Sequence, residues 1–495
     1  MSPNKTRRVL SPLLIAALAG CAVGPDFKAP AAPNTDRYTA ESLPAATVAT
    51  DVAGGEAQTF NPGRAVPEQW WKLFGSQQLD SLVDLAFKSS PSVDSASAAL
   101  RRAQENLNAQ RGGLFPSIDA NAQVQRQRAS AAAFGQGSDA SSLYNLYNAS
   151  VGVSYTLDLF GGVRRGIEAQ AAAVDFQRFQ LQATYLTLAA NVVTSGISEA
   201  SLRAQITATN DIIAAFERQL KITEEQFQLG TVSNADVLSA RANLASTRAT
   251  LPPLQRQLSA VQNQLAVYLG KLPSERESTH FELADLTLPR ELPLSVPSEL
   301  VRQRPDVRAA EASLHQASAQ IGVATANLFP QLSISGSFGS QALTSGDLFD
   351  DHVWSIGAGL TQPLFHGGTL SAQRRAAIAA YDQSAADYRN TVLKAFQNVA
   401  DALRALETDA ESLRAQYEAM TAAQSSLELT EKQYALGSVS YLNLLTAQRQ
   451  YQQARISYLQ ALASRYQNTA ALFQALGGGL NPSSTASANA AGTAS

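Results

Sequence analysis

The sequence predicts a mixed fold of membrane-ready β-strands and very long α-helices, built from one unit used twice. Three observations predict it. Val93–Pro116 matches Val307–Pro330, Thr156–Gly162 parallels Thr361–Gly367, and Glu224–Gly230 matches Glu431–Gly437, so a half-unit of about 200 residues occurs twice. Each half carries two segments in which apolar and polar residues alternate, the period of a sheet with one apolar face. Finally, Thr369–Leu436 runs 68 residues without Pro or Gly, room for a helix on the order of 100 Å long.

Composition bounds the classes. The chain has 495 residues, 41 acidic and 38 basic, for a net charge of −3. That balance offers no electrostatic footprint for nucleic acid. One Cys cannot build an intrachain disulfide framework or a Cys-based zinc site. Only 16% of residues are charged, yet mean hydropathy is −0.12, as expected of a chain that hides apolar residues by alternation.

Residues 1–20 read as a signal peptide. Lys5, Arg7 and Arg8 precede a short apolar core, Val9 to Ala19, too short to span a bilayer as a helix. Leu18-Ala19-Gly20-Cys21 resembles a bacterial lipobox, in which cleavage leaves the cysteine first for acylation. Cys21, the single Cys, is the expected lipidation site. Ala22 rather than Asp follows it, which resembles an outer-membrane sorting signal. Residues 21–90 form an N-terminal segment, Ala-, Pro- and Thr-rich up to Pro67.

The first repeat covers 91–270 and the second 304–476, joined by a Pro-rich linker, 271–303. Strands are expected at about 116–127, 148–160, 330–339 and 352–365. In the first, Ile118, Ala120, Ala122 and Val124 oppose Asp119, Asn121, Gln123 and Gln125; in the last, Trp354, Ile356 and Leu360 oppose Ser355, Gly357 and Gly359. Such strands have the length and lipid-ready face of an outer-membrane barrel. Phe115, Tyr147, Phe160, Phe329, Trp354 and Phe365 sit near their ends, as an interfacial girdle would. Four strands cannot close around a lumen, so a barrel requires oligomerisation. An ordinary half-buried soluble sheet has the same alternation.

Helices are expected at about 91–113, 163–270, 304–327 and 369–476. From Ile378 through Val392, Leu406 and Met420 to Tyr434, an apolar residue recurs every seven, which imposes left-handed supercoiling against neighbours. The first half echoes this from Tyr185 and Val192 to Phe227, broken by Glu199. Each long helix turns back at a glycine, Gly230 or Gly437, and Ser233 or Ser440 is placed to cap the returning helix. The tail 477–495, Ser-, Ala- and Thr-rich from Ser483, is expected to be disordered.

No catalytic constellation emerges. Phosphate-loop, HExxH and GxSxG patterns are missing. His280, His315, His352 and His366 are scattered and read as surface or turn residues, and Asp350-Asp351 as a solvated loop. No enzyme activity and no cofactor beyond the covalent lipid on Cys21 are expected.

The layout resembles a family. Cys21-Ala22-Val23-Gly24-Pro25-Asp26-Phe27 is similar to the start of mature outer-membrane efflux lipoproteins, and Trp70-Trp71-Lys72-Leu73-Phe74 to their next motif. Arg304-Pro305-Asp306-Val307-Arg308 resembles their mid-chain signature and Leu476-Gly477-Gly478-Gly479 their ending. The chain thus resembles a TolC-like outer membrane factor of the OprM/NodT branch. The resemblance implies a homotrimer: a twelve-stranded barrel in the outer membrane, continued through the periplasm as an α-helical barrel with an equatorial belt. It implies two partners, a periplasmic adaptor protein at the helical tips and an inner-membrane pump of the proton-driven RND type. Gly230, Ser233, Gly437 and Ser440 are the expected adaptor-docking residues.

The same resemblance marks a gate. Leu442 matches a leucine ring that narrows the exit, and Tyr434 with Asp236 matches a hydrogen bond holding the tips shut. Where many relatives carry an acidic, cation-binding ring, this chain has Asn443 and Thr446, so weak cation selectivity is expected. Three other readings stay open: a protein-secretion conduit of the same fold, a periplasmic adaptor lipoprotein, and a structural envelope tether without transport, which would not need a polar strand face. Adaptors share lipid anchors and helical hairpins, but lack two pairs of alternating strands.

Overall fold

The computed structural model describes residues 22–130, 141–276 and 281–478. The signal peptide, Cys21, His280 and the tail beyond 478 lie outside the described residues. Two compact units share the chain, one made of Met1–Pro30, Leu100–Gln177 and Ala310–Tyr388, the other of Ala31–Ala99, Arg178–Ala309 and Arg389–Ser495.

The first unit holds the sheet. Strands β2 (Ser117–Ser130), β3 (Ser141–Leu157), β5 (Gln331–Ala342) and β6 (His352–Thr361) pair antiparallel in the order β2-β3-β5-β6. In this register Ala120 faces Val151, Val151 faces Phe338, and Phe338 faces Trp354. One face is therefore apolar and exposed, with Ile118 at 70%, Trp354 at 74% and Ile356 at 76%. The other face is a row of hydroxyls and glycines, including the Ser117–Ser154 and Ser337–Ser355 hydrogen bonds. β3 starts earlier than the alternation suggests because β2 carries it outward, Ser130 pairing with Ser141. β6 stops at Thr361, just before Pro363, which cannot donate to a ladder.

Helices α2 (Pro91–Gly112) and α6 (Pro305–Ala326) lead into the two hairpins, and α3 (Gly162–Gln228) and α7 (Thr369–Ala435) leave them. Within the first unit, Ala103, Leu107 and Val174 pack with Leu100, Ile167 and Ala171. His315 was expected at the surface or in a turn. It lies mid-helix in α6, half-buried, stacked on Phe27 at 4.3 Å and 12° and bonded to Glu168 at 2.9 Å. Arg165, buried, donates to Glu168 and Asp26 at 2.7 Å each and to the carbonyls of Val23 and Gly24. A Cβ on Gly24 would lie 2.4 Å from Gly322 Cα, so only glycine permits that approach. The N-terminal motif is thus a strap held onto α3 and α6.

The second unit buries the aromatic motif. The 3-10 turn Trp70–Phe74 places Trp70 against Phe473 at 5.4 Å and Phe74 near Tyr466. Helix α1 (Gln77–Ser89) follows, its N-cap Ser76 accepting from Leu79 N. The connectors are more ordered than their composition suggests. β1 (Thr59–Pro62) pairs in parallel with β4 (Glu291–Leu294), and α5 (Pro297–Gln303) ends the linker. Buried Arg304 bonds Asp306 through two nitrogens at 2.9 and 2.6 Å and donates to the carbonyls of Ala395 and Ala475. Ala475 ends α8 (Tyr441–Ala475), so the guanidinium satisfies an orphan carbonyl at a helix C-terminus, where a cation is favoured.

Heptad positions Val392, Val399, Leu406 and Leu413 are buried. Glu199 does not break the first-half repeat geometrically. It sits fully buried in register, its carboxylate accepting from Arg203 and Gln262. No described helix is long and apolar enough to cross a membrane.

Candidate functional site

The two tips are repeats of one turn. In the first, α3 ends at Gln228 and α4 (Asn234–Tyr268) returns. Gly230 takes φ +71°, its N–H bonds Phe227 O, and Thr231 N–H bonds Gln226 O, the 5→2 and 6→1 pattern of a Schellman motif. In the second, Gly437 takes φ +70°, with Tyr434 O and Gln433 O as the acceptors. Both glycines are required by conformation, not space: a Cβ at either would meet nothing within 4 Å.

The returning helices differ. Ser233 caps α4 with a full capping box. Its Oγ accepts from Asp236 N at 3.2 Å, and Asp236 Oδ2 accepts from Ser233 N at 3.0 Å and from Ser233 Oγ at 2.8 Å. Ser440 occupies the same place before α8 but makes no side-chain cap bond, contrary to the sequence expectation. The repeat counterpart of Asp236 is Asn443, which does not close the box.

The expected Tyr434–Asp236 hydrogen bond is not made. The Tyr434 hydroxyl donates to Gln226 Oε1 at 3.1 Å, while Asp236 is engaged by Ser233. The two are coupled through space instead. Burial raises the Tyr434 pKa, a hydrogen bond with Thr223 opposes the rise, and the Asp236 charge adds to it. Tyr441, edge-on to Tyr434 at 5.9 Å, is pushed up to about 12, by burial first and then by Tyr434 and Asp236. Sequence reading missed Gln226 and Tyr441; the latter was discoverable as the first helical residue after the second turn.

Beneath the tyrosines, Ala240, Tyr441 and Leu444 are buried together with Leu220, Leu427 and Leu445 around them. Leu442, Asn443 and Thr446 line the opposite, exposed face of α8, Leu442 at 68% exposure. Thr446 Oγ1 bonds back to Leu442 O at 2.9 Å. The first hairpin is braced across its helices by Arg241–Glu224 and Arg248–Glu217. These exposed pairs contribute about 0–1 kcal/mol each. The site offers a polar latch over an apolar wedge, with an exposed leucine on the far side and no reacting group.

Comparison with known proteins agrees with this geometry. The model of the outer membrane efflux protein family matches residues 82–271 and 296–478, the two repeats. The chain is 31% identical over 359 residues to the pyoverdine export outer membrane protein OpmQ of Pseudomonas putida, covering 72% of this chain and 76% of that one. It is 30% identical over 403 residues to the antibiotic efflux pump outer membrane protein ArpC of Pseudomonas putida, covering 81% and 80%. Among solved structures it superposes on the outer-membrane channel OprN with a TM-score of 0.81 at 27% identity, covering 92% of this chain and 99% of that one. The Campylobacter jejuni CmeC outer membrane channel gives 0.82 at 21% identity, covering 95% and 98%, a likeness of fold. With both repeats matched end to end, the chain belongs to the outer membrane efflux protein family.

Proposed function

We propose that this protein is the outer-membrane exit duct of a tripartite efflux pump, passing small molecules through a trimeric tunnel gated at its periplasmic end. One observation carries the reading: a single chain joins a four-stranded sheet with an exposed apolar face to duplicated helical hairpins whose tips are latched by side chains. Within the protomer β2 and β6 are edge strands. Three copies pairing edge to edge give twelve strands, enough for an open lumen, lined by the serine and glycine face.

In this reading Cys21 carries the lipid. Its neighbour Ala22 lies against Gly161, just past the end of β3, so acyl chains on Cys21 would enter the bilayer beside the barrel wall. Leu442 of each copy narrows the exit, with Asn443 and Thr446 beside it. Gly230, Ser233, Gly437 and Ser440 meet a periplasmic adaptor, which couples the duct to a proton-driven inner-membrane pump. Selectivity for cargo then belongs to the pump, and the duct offers it the serine and glycine face of the strands.

Planar-bilayer recording tests the reading, wild type beside Leu442→Ala combined with Asp236→Ala. Small, rare openings that become large in the double variant are expected. Absence of conductance from well-formed trimers of both proteins would overturn the duct reading.

A further inference from the structure

The polar face of the sheet carries one formal charge among the described residues, at Asp119. Ladder parity decides which residues share that face. β2 gives it the odd-numbered residues from Ser117 to Gln127, β3 the even-numbered ones, and β5 and β6 their odd-numbered ones. Asp119 aside, none of these is Asp, Glu, Lys, Arg or His. Arg126, Arg128 and His352 have the other parity and fall on the apolar face.

Asp119 is exposed, one step along the polar face from the helix end of β2. It pairs with Gly152, which pairs in turn with Ser337, and Ser337 with Ser355. A glycine beside it leaves the carboxylate uncovered. The hydroxyls around it bond to one another, Ser117 with Ser154 at 2.9 Å and Ser337 with Ser355 at 2.8 Å. Among the described residues Asp119 enters no ion pair and no side-chain hydrogen bond. The bases closest along the chain sit on helices and in a turn, outside the ladder. Arg164 is held by Asp158, and Arg165 by Asp26 and Glu168. Arg374 donates to Thr325, Arg111 and Arg375 lie in α2 and α7, and His366 precedes α7.

At the other end of the sheet the connections add only acids. Asp139, outside the described residues, belongs to the β2–β3 connection, and Asp347, Asp350 and Asp351 belong to the β5–β6 turn; neither connection holds a Lys or Arg. β2 is an edge strand, so a second copy meets it through its own edge strand, β6. That pairing must keep apolar residues on one face. Whatever its shift, β6 then brings Val353, Ser355, Gly357, Gly359 or Thr361 to the row of Asp119, and no cation.

We infer that Asp119 makes passage through the duct charge-selective: three copies place three carboxylates at one level of the lumen, favouring cationic over anionic solutes. The inference rests on the trimeric-duct reading above. Rings of carboxylates select cations in this way, and low-dielectric walls focus their field on the water between them. The pump still chooses the cargo, and the strand wall biases the passage of whatever is charged.

The test uses the full chain as its oligomer in planar bilayers, in the Leu442→Ala, Asp236→Ala background that opens the gate, with potassium chloride gradients as the probe. Near 0.1 M salt the Debye length of about 10 Å lets the carboxylates act across water, and the background protein should prefer potassium about twofold. Near 1 M, where screening acts over about 3 Å, the preference should vanish. Asp119→Asn and Asp119→Ser should each remove it at 0.1 M, and Asp119→Lys should turn it toward chloride. A preference unchanged in either neutral variant overturns the inference and leaves the duct reading intact. So does a preference that disappears only when Asp139, Asp347, Asp350 and Asp351 are all changed to Asn, which would assign selectivity to the mouth. Absence of conductance from well-formed trimers of the background protein would overturn the duct reading, and this inference with it.

Discussion

The Tyr434 hydroxyl donates to Gln226 Oε1 at 3.1 Å, joining the last turn of α7 to the last turn of α3. Asp236, one helix away, is held by Ser233 instead. The latch and the cap are thus separate devices. Tyr434→Phe and Gln226→Ala should each weaken the tip by about 1 kcal/mol, and their effects on open probability in bilayers should be non-additive. Tyr434→Phe with Asp236→Ala should be closer to additive. A strong coupling in that second pair, with none in the first, would show that the tyrosine works through the aspartate.

The missing capping box at the second tip makes a gain-of-function prediction. Asn443→Asp should let residue 443 accept from Ser440 N, as Asp236 does from Ser233, and stabilise α8 by about 0.5–1 kcal/mol. It should also add a carboxylate to the exposed face beside Leu442. Reversal potentials in a salt gradient should show weak cation preference in wild type and a clear increase in the variant. Strong cation preference in wild type would contradict the neutral-ring reading.

At the tips, Gly230→Val and Gly437→Val should each cost about 1–2 kcal/mol locally, because a side chain there is forced to positive φ. An added Cβ at either position meets nothing within 4 Å in the protomer. Trimers should therefore persist in the membrane while export, read as drug susceptibility of a producing strain, is lost. Loss of trimer on a non-boiled gel would mean that the positions are structural.

The N-terminal strap should depend on pH. Burial pushes the Glu168 carboxyl up, but hydrogen bonds and charges from Arg165 and His315 outweigh it and hold the pKa below the usual range. A depressed carboxyl contributes stability that is present above its unfolded value of about 4.3 and is lost as pH falls through the folded value. Glu168→Gln should cost about 1–2 kcal/mol near neutrality, with the gap to wild type closing in acid. Urea unfolding followed between neutral pH and pH 3 reads this directly. A gap that stays constant across that range would remove Glu168 ionisation from the account.

Arg304→Lys should behave as a severe change. Arg304 holds Asp306 with two nitrogens and two carbonyls from distant segments, and an ammonium cannot reproduce that fork. A loss of about 2–4 kcal/mol is expected in denaturant unfolding. Amides near Ala475 should exchange faster, since the helix end they belong to loses its partner.

Much of this molecule is written locally. The parity of Ile118 to Val124 against Asp119 to Gln125 specifies which strand face is apolar, because successive side chains alternate sides whatever surrounds them. The heptads from Ile378 to Tyr434 specify the buried stripe of α7. Gly230 and Gly437 specify the turns, because their positive φ excludes other residues at little cost to glycine alone. Duplication of these local signals suffices to give element order and fold class.

Tertiary structure decided which partners those elements meet. Tyr434 finds Gln226 across 208 positions of chain, Arg304 finds Ala475 across 171, and His315 finds Glu168 across 147. Glu199 looked like a flaw in a heptad until Arg203 and Gln262 supplied its donors. A residue's own period reports the face it occupies. Its hydrogen-bond partner depends on the distance and angle between helices that only packing sets, and at the tip that packing gives Tyr434 the Gln226 amide and leaves Asp236 to Ser233.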